Sequence, residues 1–236
     1  MKRNILARRA ASAALAACMM FSLSAPALAE STDALLQQST AAKSAVSVLD
    51  EENGMMEEEP AYQMDLKYGS IRVYIGDDGK QYVQQGENAP QQSGNLSITT
   101  NGSPTDNTIT IEGGTTGAKV TLSNVNIETT SDAAVSVSGN VELIIAGTNT
   151  NTLRSGTDHA GVEKADDNGT LTISGTGTLE AYGGQGGAGI GGARNKNAGN
   201  IVIESGTIKA NGGTWGAGIG GGQSAAGQNL RFAMVM

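Results

Sequence analysis

Two segments of this 236-residue chain, GGQGGAGIGG at 183–192 and GGTWGAGIGGG at 212–222, spell nearly the same glycine run. Each contains G-x-G-x-x-G, from Gly187 to Gly192 and from Gly216 to Gly221. That spacing lets a backbone turn approach a pyrophosphate when it closes a strand and opens a helix. Here Gly192 leads into ARNKNAGN, which is polar and turn-forming, and the next apolar segment starts at Ile201. A motif that recurs without a helix behind it argues against nucleotide binding. Self-similarity at a period of tens of residues points instead to stacked structural units.

The surrounding residues carry the same period. TLEAYGG (178–184) returns as TIKANGG (207–213), and LTISGTG (171–177) precedes the first as IVIESG (201–206) precedes the second. An earlier unit runs from LIIAG (143–147) to HAGV (159–162), and its Ala160-Gly161-Val162 precedes Ala188-Gly189-Ile190 by nearly the same interval. Ala133-Ala134-Val135 holds a similar place one unit back. Short alternating segments such as LSI (96–98), ITI (109–111), VTL (120–122), VNI (125–127) and VSV (135–137) read as strands. Several strands and turns per unit, with no amphipathic helix after residue 60, predict an all-β solenoid. Its coils lie about 4.8 Å apart. Glycine suits the bends because it adds no Cβ to that gap and tolerates positive φ. Ala188, Ala217, Ile190 and Ile219 are then expected to point inward and stack.

Residues 1–29 read as an export signal. MKRNILARR supplies Lys2, Arg3, Arg8 and Arg9, and the apolar stretch that follows ends in Ala27-Leu28-Ala29, so cleavage is expected before Glu30. LAAC at Leu15–Cys18 has the form of a lipoprotein box, yet the residues after Cys18 stay apolar through Leu28. Lipid anchoring at Cys18 is therefore the lesser alternative to a secreted or cell-surface protein. Residues 30–60 read as a flexible, disordered acidic linker. Residues 61–94, with Ile71, Val73 and Ile75 alternating before GDDG, read as an opening hairpin or N-terminal cap, and 95–236 as the coils. AAGQNL (225–230) tracks NAGNI (197–201) without a closing cap, which predicts a truncated gene product or fragment.

Charge narrows the partners. Loss of the signal removes four of 15 basic residues and no acidic ones, leaving 11 against 23, a balance of −12. That sign disfavours nucleic acid and anionic membranes. The only cysteine leaves with the signal, so the exported chain has no disulfide. No later stretch is long and apolar enough to insert in a membrane.

VTLSNVNIETTSDAAVSVSGNVELIIAGTNTNTL (120–153) and GTLTISGTGTLEAYGGQGGAGIGG (169–192) resemble exported bacterial carbohydrate-binding domain proteins with GAGIGGG-type repeats. DLKYGSIRVYIGDDGKQYVQQG (65–86) is similar to their opening strands. The resemblance spans about 62–230 and implies a right-handed parallel β-helix related in shape to polysaccharide lyases. It also implies acidic plant polysaccharide and calcium as ligands. Lyases of that fold hold calcium with carboxylates and use Arg or Lys to abstract a proton. The ingredients here gather in RSGTDHAGVEKADDNG: Arg154, Asp158, His159, Glu163, Lys164, Asp166 and Asp167. Asp158, Glu163, Asp166 and Asp167 are the candidate calcium ligands, because calcium takes six to eight oxygens. The competing reading is a solvated acidic loop. His159, the only histidine, matches Gly187 and Gly216 in later units and reads as a corner residue rather than a general base. Trp215, the only tryptophan, and Tyr182 are the candidate sugar contacts, although their counterparts Gly186 and Asn211 show that the repeat itself needs no aromatic there.

These observations predict a non-catalytic carbohydrate-binding β-helix of an exported protein, with a plant or cell-surface polysaccharide as its partner and surface adhesion as its setting. A structural or adhesin-like repeat with protein ligands or none is the alternative. A calcium-dependent polysaccharide lyase comes third.

Overall fold

Apolar residues at every second position, separated by threonine, serine and asparagine, suit strands with one buried face. Runs of this kind follow one another from Tyr62 onward. The computed structural model describes residues 62–227 and 229–233, all within the unit Ser47–Met236. The export signal, Cys18 and the acidic linker lie outside the described residues.

The chain opens with β1 (Tyr62–Asp65), a short 3-10 turn at Leu66–Tyr68, β2 (Ile71–Ile75), β3 (Gln81–Gln85) and β4 (Gln91–Gln92). Next come β5 (Leu96–Thr99) and β6 (Ile109–Glu112). Four three-strand coils follow. The first is β7 (Ala118–Ser123), β8 (Asn126–Glu128) and β9 (Val135–Ser138), and the second β10 (Val141–Ala146), β11 (Asn151–Arg154) and β12 (Val162–Lys164). The third is β13 (Thr170–Gly175), β14 (Thr178–Tyr182) and β15 (Ile190–Gly191), and the fourth β16 (Asn200–Ile203), β17 (Thr207–Asn211) and β18 (Ile219–Gly220). β19 (Leu230–Phe232) begins another.

Equivalent strands of successive coils pair in parallel. They make a seven-stranded sheet A (β1-β5-β7-β10-β13-β16-β19), an eight-stranded sheet B (β18-β15-β12-β9-β6-β2-β3-β4) and a four-stranded sheet C (β17-β14-β11-β8). This is a parallel β-helix. Among the described residues only the β2–β3 and β3–β4 pairs are antiparallel. Val120 pairs with Leu143, whereas Ile173 pairs with Ile203, a longer step along the chain. Corner loops therefore vary in length while the strands stay stacked.

Inward positions repeat in kind. Val120, Leu143, Ile173 and Ile203 form one ladder of sheet A, and Ile109, Val135, Val162 and Ile190 one of sheet B. All are buried. Asn151 also faces inward and is fully buried, but each polar atom has a partner. Its Oδ1 accepts from the Val125 N–H at 3.0 Å, and its Nδ2 donates to the Ala146 and Thr178 carbonyls at 2.8 and 3.2 Å.

β2 and β3 pair antiparallel across GDDG, and β3 and β4 extend the edge of sheet B. Gln81 shows how this edge meets the first coils. Its side-chain amide accepts from the Lys119 N–H at 2.7 Å and donates to the Lys119 carbonyl at 3.2 Å. It thereby stands in for a peptide unit of a neighbouring strand where β5 has not yet begun.

The repeated glycine runs are bends, as the spacing predicts. Ala188 and Ile190 are wholly buried, and Ile219 pairs in register with Ile190. Ala217 and Ile219, on the last complete coil, are half-buried. A Cβ on Gly187 would meet the His159 carbonyl, and one on Gly216 the Gly187 carbonyl, far inside van der Waals contact. Gly187 has no positive φ, so close approach alone selects glycine there. Gly187→Ala is therefore expected to destabilise the fold by about 1–3 kcal/mol through overpacking. Chemical denaturation checks this, and an unchanged midpoint would show that the bend relaxes freely.

Candidate functional site

Strands of sheet C turn every second side chain outward, and parallel pairing lines those side chains up across coils. Two outward ladders result. Glu128, Arg154, Tyr182 and Asn211 form one, and Asn126, Thr152, Glu180 and Lys209 the other. Within them a chain of contacts crosses all four coils. Arg154 Nε lies 3.6 Å from Glu128 Oε1, and its guanidinium sits 3.8 Å from the centroid of the Tyr182 ring. The Tyr182 hydroxyl donates to Glu180 Oε2 at 2.9 Å, and Lys209 Nζ donates to Glu180 Oε1 at 2.7 Å. Those two donors, Lys209 first and Tyr182 second, hold the Glu180 carboxyl below its ordinary value of 4.5. Glu180 in turn raises Lys209 above its ordinary value of 10.5.

Trp215 lies in the bend that follows Asn211, the register partner of Tyr182. Its side chain is 64% exposed and its φ is 70°. The equivalent positions of the two preceding coils also have positive φ, 71° at Asp158 and 86° at Gly186. Backbone bonds tie these corners together: the Asp158 N–H donates to the Gln185 carbonyl and the Gly186 N–H to the Thr214 carbonyl, at 2.8 and 2.9 Å. Asp tolerates the left-handed region and Gly is free in it. A tryptophan is not. Nothing in the sequence marks this position except its alignment with Gly186.

The candidate sugar contacts therefore sit on neighbouring coils at one edge of sheet C, with different roles. Trp215 presents a bare ring. Tyr182 is half-buried, one ring face lies under Arg154, and its hydroxyl is occupied, so it orients the charged ladder.

The four candidate calcium ligands do not converge. Among the described residues no three Asp, Glu, His or Cys side chains group as a metal site. Each carboxylate answers a different need. Asp158 accepts from Arg194 Nη1 at 3.3 Å. Glu163 Oε2 lies 2.9 Å from His159 Nδ1 and accepts from the Ala160 N–H at 3.1 Å, which pins the corner where His159 stacks on Gly187. Asp166 pairs with Lys164 and accepts from the Gly139 N–H of the preceding coil at 3.1 Å. Asp167 is exposed.

Lys164 is the exception to the solvated surface expected of 154–169. It follows Val162 by two positions on β12 and so faces inward, stacked on Val137 and fully buried. Its ammonium donates to the Asp166 and Asn168 carbonyls at 3.1 and 2.7 Å as well as to the Asp166 carboxylate. The oxygens of this corner are gathered around a lysine. The alternation in Val162-Glu163-Lys164 is the signal for this; the surrounding acidic residues hide it.

The comparisons agree with the geometry. A model of the beta helix repeat matches residues 171–194 and 201–223, the two units with the duplicated glycine run. The chain is a β-helix repeat protein. No curated protein and no solved structure matches it. Among the described residues of this β-helix no helix is long and apolar enough to cross a membrane.

Two outcomes follow. Asp166→Asn is expected to lower stability by about 1–3 kcal/mol, because Lys164 keeps its carbonyl partners but loses its counter-charge in the interior; equilibrium unfolding measures this. A carboxyl depressed in the fold adds stability above its unfolded value and loses it as pH falls through the lower folded value. The Glu180–Lys209 contact should therefore persist through mildly acidic pH. Carboxyl NMR should place the Glu180 midpoint below 4.5 and show it rising in Lys209→Gln.

Proposed function

We propose that this chain is a non-catalytic, exported carbohydrate-binding β-helix, and that a polysaccharide lies across the outer face of sheet C against Trp215. The observation that carries this is the backbone of Trp215. A bulky side chain in the left-handed region costs about 1–2 kcal/mol. Burial does not offset it, because the ring is 64% exposed. The preceding coil uses Gly186 at the same place, so the bend does not require an aromatic. Strain retained without a structural return is the expected mark of a functional residue. A flat, exposed indole beside hydroxyl and amide side chains suits a ring with an apolar face and a rim of hydroxyls. Asn211 and Thr152 offer such hydrogen-bonding groups on the adjoining ladders.

Catalysis is not part of the proposal. The lyase chemistry needs a basic group aimed at the sugar and carboxylates that share a cation. Here Arg154 and Lys209 are already engaged by Glu128 and Glu180. Attachment or retention of a glycan is what an exposed, pre-organised face does best.

Trp215→Gly separates binding from folding. Removing the strained side chain should leave the unfolding midpoint unchanged or raise stability by about 1 kcal/mol. Retention on immobilised polysaccharide should fall about tenfold, equivalent to about 1.4 kcal/mol. Wild-type retention by the variant would remove Trp215 from the site. Binding to host proteins with silence on every glycan would favour the adhesin alternative.

A further inference from the structure

We infer that the glycan held by this face is uncharged; the inference rests on the polysaccharide reading above. The resemblance to carbohydrate-binding domain proteins implies an acidic polysaccharide, and the charge arrangement argues otherwise. Recognition of a uronate carboxylate calls for a cation free to meet it, best an arginine with its fork open. Arg154 and Lys209 on the outer ladders of sheet C, and Arg194 beside the Asp158–Gly186 corner, are each already answered from within the fold. Arg154 lies 3.6 Å from Glu128 and covers the Tyr182 ring. Lys209 bonds Glu180 at 2.7 Å. Arg194 bonds Asp158 at 3.3 Å, and Asp158 shares the positive-φ corner ladder with Trp215. Each of these three pairs is balanced, one carboxylate to one cation.

A uronate entering here would displace an internal carboxylate, or sit beside one, and either change disfavours binding. The whole chain adds to the discrimination, since its formal charge is −8 and a polyanion approaches against that field. A neutral glycan meets neither obstacle. Its hydroxyls can donate to the outer lone pairs of Glu128 and Glu180 and accept from the Asn211 amide while its apolar face covers Trp215. The internal ion pairs then act as filters: they occupy the positions through which charged sugars would gain a hold.

The test uses the full chain with a chelator present, so that divalent cations cannot bridge two anions. Immobilised neutral β-glucan and neutral xylan-type chains are compared with polygalacturonate. Sodium chloride is varied between about 0.01 and 1 M, over which the Debye length falls from roughly 30 to 3 Å. Retention on a neutral glycan should change less than about twofold across this series, because few free charges take part. Polygalacturonate should not be retained at any salt. The double variant Glu128→Gln, Glu180→Gln should gain salt-sensitive retention on polygalacturonate of about tenfold, as Arg154 and Lys209 are released. Circular dichroism checks that substituting the exposed Glu128 and the half-buried Glu180 leaves the fold intact. Wild-type retention on polygalacturonate that weakens with salt overturns the inference and leaves the polysaccharide reading standing. So does a folded double variant that gains nothing. Silence of the wild type on every glycan removes both.

Discussion

Coil-on-coil hydrogen bonding governs everything else in this molecule. Each strand within the stack finds its backbone partners in other coils, so its residues have fixed neighbours above and below at strand spacing. That spacing leaves little room for choice at bends, where one carbonyl lies against the next coil's Cα. Gly187 sits against the His159 carbonyl and Gly216 against the Gly187 carbonyl, and the glycine runs repeat because this contact repeats. The inward ladders follow from the same rule. A residue that packs well on its own kind one coil below recurs as Val, Ile or Leu along sheets A and B.

The rule also explains the polar residues in the interior. A solenoid corner gathers carbonyl oxygens, since the chain turns there without a partner strand on its own coil. The corner after β12 satisfies its carbonyls with the Lys164 ammonium, and the turn between β10 and β11 with the Asn151 amide. Both groups are buried and multiply bonded, which is how buried polar groups persist. An ammonium is a fixed, covalently tethered cation. Placed among these oxygens, it gives the acidic corner a structural use for Asp166 that needs no ligand.

How much of this is legible in the residues depends on which interaction sets each feature. Period and alternation predict the stacking of Val135, Val162 and Ile190, because both arise from local pattern and repeat length. The opening hairpin is legible from GDDG between alternating apolar residues. Side-chain contacts between coils are not. That Arg154 covers Tyr182, or that Lys209 reaches Glu180, depends on register between loops of unequal length, as the unequal steps from Val120 to Leu143 and from Ile173 to Ile203 show. Proximity in sequence misleads where it replaces register: Asp158, Glu163, Asp166 and Asp167 are close along the chain yet are divided between the corner before β12, β12 itself and the corner after it. Lys164 is hidden because its neighbours are acidic, although its phase relative to Val162 already turns it inward.

In a solenoid the fold dictates the inside and the bends, and outward strand positions are free to vary. A residue that merely decorates the outside therefore says little, whereas a residue that breaks the rule of a bend says more. Trp215 breaks it. The backbone at that corner is set to positive φ by the coil beneath, at Gly186, and by Asp158 two coils down. The chain cannot change this geometry locally without disturbing the hydrogen bond from the Gly186 N–H to the Thr214 carbonyl. Indole at Trp215 must adopt the conformation of its ladder rather than its own preference. The same coupling fixes the direction of the Trp215 Cα–Cβ bond, so the strain and the placement of the side chain have one cause. A flexible loop would relieve the first and lose the second, which is why a stacked corner is a suitable mount for a single exposed aromatic.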